Sequence, residues 1–182
     1  MEKRLLLKLA RESIEEKLSG KSSATLKELE ENSPPSLSGE EGAFVTLKEV
    51  PGDNLRGCIG YIFGEKPLYK TVYRLAKESA FRDPRFRPLT LKELDKIKIE
   101  ISILTLPKRV DNPQEIVVER DGVILTVGRK RALFLPQVAQ DQGWSLDTLL
   151  SQLSLKAGLK SDGWRSPEAY FETFQAQVIE EE

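Results

Sequence analysis

The stretch that decides the fold is IKIEISIL, Ile97–Leu104. Ile97, Ile99, Ile101 and Ile103 alternate with Lys98, Glu100 and Ser102. That two-residue period is a β-strand with one dry face and one wet face. Just upstream, Thr90 and Glu93 have the spacing of a capping box, which predicts a short helical turn over 91–95. DPRFRPL, Asp83–Leu89, reads as an extended loop clamped by prolines. Residues 67–80 open at Pro67 and carry Leu68, Val72, Leu75 and Ala76 on one stripe, the pattern of a helix. GAFVTLKEV (42–50) and Leu55–Phe63 are two strands joined by the turn residues Pro51-Gly52-Asp53-Asn54. Residues 3–18 form an amphipathic helix with Leu6, Leu9, Ala10, Ile14 and Leu18 on one face. Between them, 19–42 is rich in Ser, Gly, Glu and Pro and reads as a long connection with one helical turn near Leu26–Leu29.

Downstream of Ile97–Leu104 the periodicity predicts short strands at Ile116–Glu119, Val123–Val127 and Ala132–Leu135. Ser145 is a natural N-cap for a last helix, with Trp144 and Leu149 as its hydrophobic staple and Gly158 as its stop. Leu146, Leu149, Leu150, Leu153 and Ala157 line its apolar face. Tyr170–Ile179 reads as one final strand. Hairpin-like strands dominate, and the few helices lie too far apart for a regular βαβ series, so the class is α+β.

Composition narrows the chemistry. The 182 residues carry 28 basic and 29 acidic side chains, which gives no global attraction to nucleic acid or anionic membrane. There is no histidine, so the usual zinc sites, the Ser-His-Asp triad and the Cys-His dyad are excluded. The single cysteine excludes an internal disulfide and fits a reducing compartment. Nothing in the pattern calls for a metal or a cofactor. MEKRLLLKLARESIEEKL lacks the form of a signal peptide, and no stretch approaches the ~20 apolar residues of a membrane span. The expectation is a soluble, cytoplasmic protein.

That single cysteine, Cys58, sits in LRGCIG, Leu55–Gly60. Strand periodicity puts Arg56, Cys58 and Gly60 on one face, and Gly57 and Ile59 on the other. A thiol beside a guanidinium favours the reactive thiolate. A small residue between glycines equally well fills a tight space. The glycines either admit a ligand or partner, or permit a bulge. A second cluster places Arg82, Arg85 and Arg87 around Phe81 and Phe86, and GRKR follows at 128–131. Arginine among aromatics can hold phosphates and stack bases. The near-neutral chain, and Asp83 as a ready partner for a neighbouring arginine, favour a solvated loop instead.

Several segments together carry a family resemblance. GAFVTL (42–47), LRGCIG (55–60), DPRFRPL (83–89), EISIL (100–104), LFLPQV (133–138), Gly143-Trp144 and KAGL (156–159) occur in the order seen in the AMMECR domain family, across residues 5–181. The chain resembles that family's AmmeMemoRadiSam system protein A type. The resemblance implies a single domain of two interlocked α+β subdomains, the larger with an antiparallel sheet flanked by helices. It implies Memo-like and radical-SAM proteins as partners, and a role in modifying RNA or another macromolecule. It makes LRGCIG the presumed functional surface. The candidate set is Cys58 as a catalytic residue, with Leu55, Arg56, Gly57, Ile59, Gly60 and Arg85 binding a ligand or partner. Two positions depart from the family pattern: Ser154 stands where many relatives have a cysteine, and Asp121-Gly122 where many have His-Gly. A Cys–Cys or Cys–His pair is therefore not required here.

Two readings follow. In one, the chain is a catalytic or accessory component of a modification pathway, with Arg56 binding an anion and Cys58 acting as nucleophile, covalent carrier or ligand to a partner-held metal. In the other, it is a non-enzymatic module whose LRGCIG groove accepts a peptide or partner loop.

Overall fold

The computed structural model describes residues 2–182 and the side chains from Lys3 onward. The chain divides into two compact units: one runs to Leu104 and is completed by Gln177–Glu182, the other is Thr105–Ala176.

The first unit is built on a four-stranded sheet. Its strands are β1 (Glu41–Glu49), β2 (Leu55–Phe63), β3 (Ile97–Leu104) and β8 (Ala176–Glu180), in the order β2-β1-β3-β8. β1 pairs antiparallel with both β2 and β3, so Thr46 lies opposite Cys58 on one side and Glu100 on the other. The alternation fixes which face is dry. Ala43, Val45, Leu47, Ile99 and Ile101 are fully buried, whereas Thr46, Lys48, Lys98 and Glu100 on the other face are only half-buried. α1 (Glu2–Ser19) and α4 (Leu68–Phe81) cover the dry face, contributing Leu6, Leu9, Ala10, Ile14, Val72, Leu75 and Ala76. Each such aliphatic burial stabilises by roughly 1.5–3 kcal/mol for the larger side chains.

The connection 19–42 is more ordered than its composition predicts. It contains α2 (Ala24–Glu31) and the single turn α3 (Pro35–Ser38), which bury Leu29 and Leu37 in the same core. Ser23 caps α2 by accepting the Leu26 N–H at 3.0 Å, and its hydroxyl donates to Glu12 of α1 at 2.7 Å. Two apolar anchors and one cap thus override a loop-like composition.

The second unit holds β4 (Lys108–Val110), β5 (Gly122–Val127), β6 (Lys130–Phe134) and β7 (Ala169–Phe174), ordered β4-β7-β5-β6. α5 (Pro136–Gln142) and α6 (Leu146–Lys156) accompany it, with Leu149, Leu150 and Leu153 in the core. Ser145 caps α6 as its sequence predicts. Two expectations fail here, at 116–119 and at the final strand. The segment 116–119 is a turn, because the Asp121 carboxylate takes the Val117 N–H at 3.0 Å and the Asp121 N–H returns to the Val117 carbonyl. Pro136 ends β6 but also opens a helix, its missing N–H being harmless in a first turn. The final strand breaks at Gln175, whose N–H goes to the Thr105 hydroxyl at 2.8 Å, so β7 and β8 join different sheets.

Candidate functional site

LRGCIG forms the first part of β2, an edge strand. Gly57 is required by a close approach. A Cβ there would lie 2.2 Å from the backbone carbonyl oxygen of Ser79 in α4. That contact brings the Ser79 hydroxyl between the strands, where it accepts the Ile59 N–H at 2.9 Å and donates to the Val45 carbonyl at 2.8 Å. The space at Gly60 is filled from within as well: a Cβ would meet the Phe44 ring at 2.2 Å. Both gaps in side-chain bulk therefore receive the protein's own helix and ring.

The outer side of β2 is held by the DPRFRPL loop. The buried Asp83 carboxylate accepts the Cys58 N–H at 2.9 Å, the Arg85 N–H at 3.1 Å, and the Arg85 Nε and Nη2 at 3.0 and 2.7 Å. Arg85 Nη2 also reaches the Cys58 carbonyl at 3.4 Å. The N–H and the C=O of Cys58 are thus both capped by one ion pair. Hydrogen bonds from Arg85 hold the Asp83 carboxyl far below the usual carboxylate range, with the backbone N–H groups adding to the effect.

Arg56 turns elsewhere. Its Nε donates to Glu93 at 3.0 Å and its Nη2 to the Arg87 carbonyl at 3.0 Å. Glu93 also accepts the Thr90 N–H at 2.8 Å and the Thr90 hydroxyl at 2.7 Å. The predicted capping box is therefore also the anchor for Arg56. Glu93 is pushed down to about 2: burial would raise it, but the hydrogen bonds from Arg56 and Thr90 prevail. Both guanidiniums lie near the Phe86 ring, Arg56 at 5.9 Å and Arg85 at 5.5 Å from its centre. The arginine–aromatic pattern of this loop is an internal brace. One wall of a cavity of about 160 Å³ includes Arg56, Glu93 and Lys96.

Cys58 is half-buried, and its sulfur accepts a hydrogen bond from the Thr46 hydroxyl at 3.3 Å. Burial pushes its thiol up; Thr46 and the Arg85 charge pull the other way without prevailing. The guanidinium nearest in effect is Arg85 and not Arg56, and that cation is already paired with Asp83. The arrangement keeps the thiol protonated at neutral pH. Among the described residues no group of three His, Cys, Asp or Glu side chains is placed to hold a metal ion.

The structure thus brings Arg56, Cys58 and Arg85 to one strand and its loop. Leu55 is exposed at the strand start, Ile59 packs against the core, and Gly57 and Gly60 are covered. Ser79, Thr46 and Glu93 belong to the same constellation and were absent from the candidate set. Only Glu93 had a local signal, its cap spacing. Ser154 and Asp121 lie in the second unit. Ser154 is buried, donating to the Leu150 carbonyl and accepting the Trp164 N–H at 3.0 Å, while Asp121 pairs with Arg120 at 2.7 Å. Both departures from the family pattern are satisfied polar groups.

The family model AMMECR1 matches residues 7–179. The chain belongs to the AMMECR1 family. It is 44% identical over 97% of its length to protein MK0488 of Methanopyrus kandleri, of which it covers 87%. A Thermofilum pendens protein is 41% identical, with 97% of this chain and 88% of that one aligned. The crystal structure of uncharacterized protein PH0010 from Pyrococcus horikoshii superposes with a TM-score of 0.84 at 38% identity, covering 97% of this chain and 90% of that one. The AMMECR1 fold of helices and two antiparallel sheets is thus shared with these archaeal proteins. No described helix is long and apolar enough to cross a membrane.

Proposed function

We propose that this AMMECR1-family chain is a non-enzymatic binding subunit of a macromolecule-modification pathway, whose β2 edge accepts an extended segment of a partner protein. Memo-like and radical-SAM proteins are the partners to which the family resemblance points. The observation that supports this reading is the uncapped half of β2. The N–H and C=O of Cys58 face off the sheet edge and are capped by Asp83 and Arg85. By the alternation of an antiparallel ladder, Gly60 turns its own N–H and C=O to that same side. Beside it opens a cavity of about 260 Å³ lined by Tyr61, Phe63, Gly64, Glu65, Thr71 and Arg74. Tyr61 is held there by its hydrogen bond to Glu78 at 2.9 Å and by Arg74, 4.8 Å from its ring. An added strand gains main-chain hydrogen bonds from such an edge and specificity from a side-chain pocket next to it. In this reading Cys58 packs the strand and does no chemistry.

The test measures binding of the full chain to a purified Memo-like or radical-SAM protein from the same host. Cys58→Ser should bind as the parent does, and Tyr61→Ala or Arg74→Glu should bind at least tenfold more weakly. Equal binding by the pocket variants, or loss of function in cells for a well-folded Cys58→Ser chain, overturns the proposal.

A further inference from the structure

The second unit carries a cleft that the LRGCIG surface does not involve. Its volume is about 260 Å³, and Arg109, Asp111, Trp164, Arg165, Ser166 and Tyr170 are among its walls. Arg109 comes from the edge strand β4 and lies 4.8 Å from the centre of the Tyr170 ring on β7. Arg165 closes a one-turn helix, Gly163–Arg165, and lies 4.5 Å from the Trp164 ring. Neither guanidinium forms an ion pair with a described residue. Glu172, which faces Arg109 in the β4–β7 register, is bound by Arg131 at 3.0 Å. Asp111 is the one carboxylate among the lining residues.

This is a different use of arginine from the one at LRGCIG. A guanidinium stacked on a ring is ordered in plane, yet keeps its N–H edge free for an anion. Two such edges on one cleft, with an indole and a phenol beside them, suit a ligand that joins a phosphate to a planar ring. The volume lies just below the ~300–1,000 Å³ of drug-sized ligand sites, which matches one nucleotide unit and not a dinucleotide. We infer that this cleft binds a nucleotide unit, its phosphate on Arg109 and Arg165 and its base against Trp164 or Tyr170. The unit is either a free mononucleotide or one residue of a single strand. The inference is independent of the β2 edge and stands or falls apart from it.

The experiment titrates the full chain with adenosine 5′-monophosphate, a short single-stranded oligoadenylate and adenosine, read by calorimetry and by tryptophan fluorescence. Trp164 lines the cleft, whereas Trp144 packs edge-on against Phe134 in the core region. Saturable binding with a fluorescence change is expected, weakened at least tenfold by Arg109→Gln with Arg165→Gln and at least tenfold for adenosine. Binding of the strand alone assigns the site to nucleic acid, and equal binding of the monophosphate assigns it to free nucleotide; either supports the inference. Circular dichroism and melting confirm that the double variant is folded, and the two single variants carry the comparison if it is not. No binding of monophosphate or strand at millimolar concentration overturns the inference. So does equal affinity for parent and folded variants, or for adenosine and its monophosphate.

Discussion

Two arginine-bearing surfaces of this chain look alike in composition and differ in what surrounds the charge. At the β2 edge Arg56 and Arg85 sit among Phe86, Asp83 and Glu93, and each guanidinium is bound to a carboxylate. In the β4–β7 cleft Arg109 and Arg165 sit on Tyr170 and Trp164 without an ion pair to any described residue. The first pair neutralises the buried Asp83 and the half-buried Glu93 and shapes the strand. The second leaves positive edges directed by ring stacking alone. Charge counted along the sequence does not separate these cases; the distance to the next carboxylate does.

The comparison predicts that substitutions at the braced part of β2, where Gly57 meets Ser79 and Asp83 and Arg85 clamp Cys58, act on stability, and those at the cleft arginines on binding. The largest effect belongs to Gly57→Val. Its side chain would collide with the Ser79 carbonyl, which is backbone and cannot rotate away. Overpacking of this kind should cost about 3 kcal/mol, measured by urea unfolding; a cost under about 1 kcal/mol would show that α4 does not rest on this glycine.

Next comes Asp83→Asn, which removes charge-assisted acceptance from Arg85 and from the Cys58 N–H. The expected loss is about 2 kcal/mol. It carries a pH signature. The folded Asp83 carboxyl titrates below its ordinary value of ~4. Its contribution is therefore complete above that value and is lost as pH falls toward the folded one. Unfolding midpoints measured from pH 6 down to pH 2 should fall more steeply for the parent than for the variant. Parallel curves would dissociate Asp83 from the clamp.

Cys58 sharpens the same contrast chemically. Its raised pKa predicts alkylation several-fold slower than that of a free thiol at pH 7–8, with a rate that is still climbing at a pH where the free thiol's has levelled off. Rapid alkylation at pH 7 would restore the nucleophile reading. The smallest stability effect is expected for Arg109→Gln, which loses one exposed stacking contact of about 0.5 kcal/mol. A loss above about 1.5 kcal/mol by thermal melting would mean that the cleft arginines are structural like those of the β2 edge.

Much of the scaffold was legible because its signals are local. The isoleucines of β3 and the apolar stripes of α1, α4 and α6 state their buried faces by period alone. The Ser145 cap and the Thr90–Glu93 box are short-range chemistry and were readable for that reason. What failed was set by distant partners. Leu29 and Leu37 order a segment of loop-like composition only because the α1–α4 core is there to receive them. Tyr170–Ile179 has unbroken strand periodicity, yet Thr105, seventy residues away, takes the Gln175 peptide and splits it.

The candidate site divides the same way. Sequence alone marked LRGCIG, limited the acid–base chemistry by the absence of histidine, and identified the family that the comparisons show. It could not say which arginine meets which acid, since Arg56 and Glu93 are 37 residues apart and Cys58 and Asp83 are 25 apart. Nor could it tell a glycine that admits a ligand from one that admits Ser79. Periodicity and capping depend on neighbours within a few residues. Pairing, desolvation and the space beside a glycine depend on which segments the folded chain brings together, and only the tertiary structure decides that.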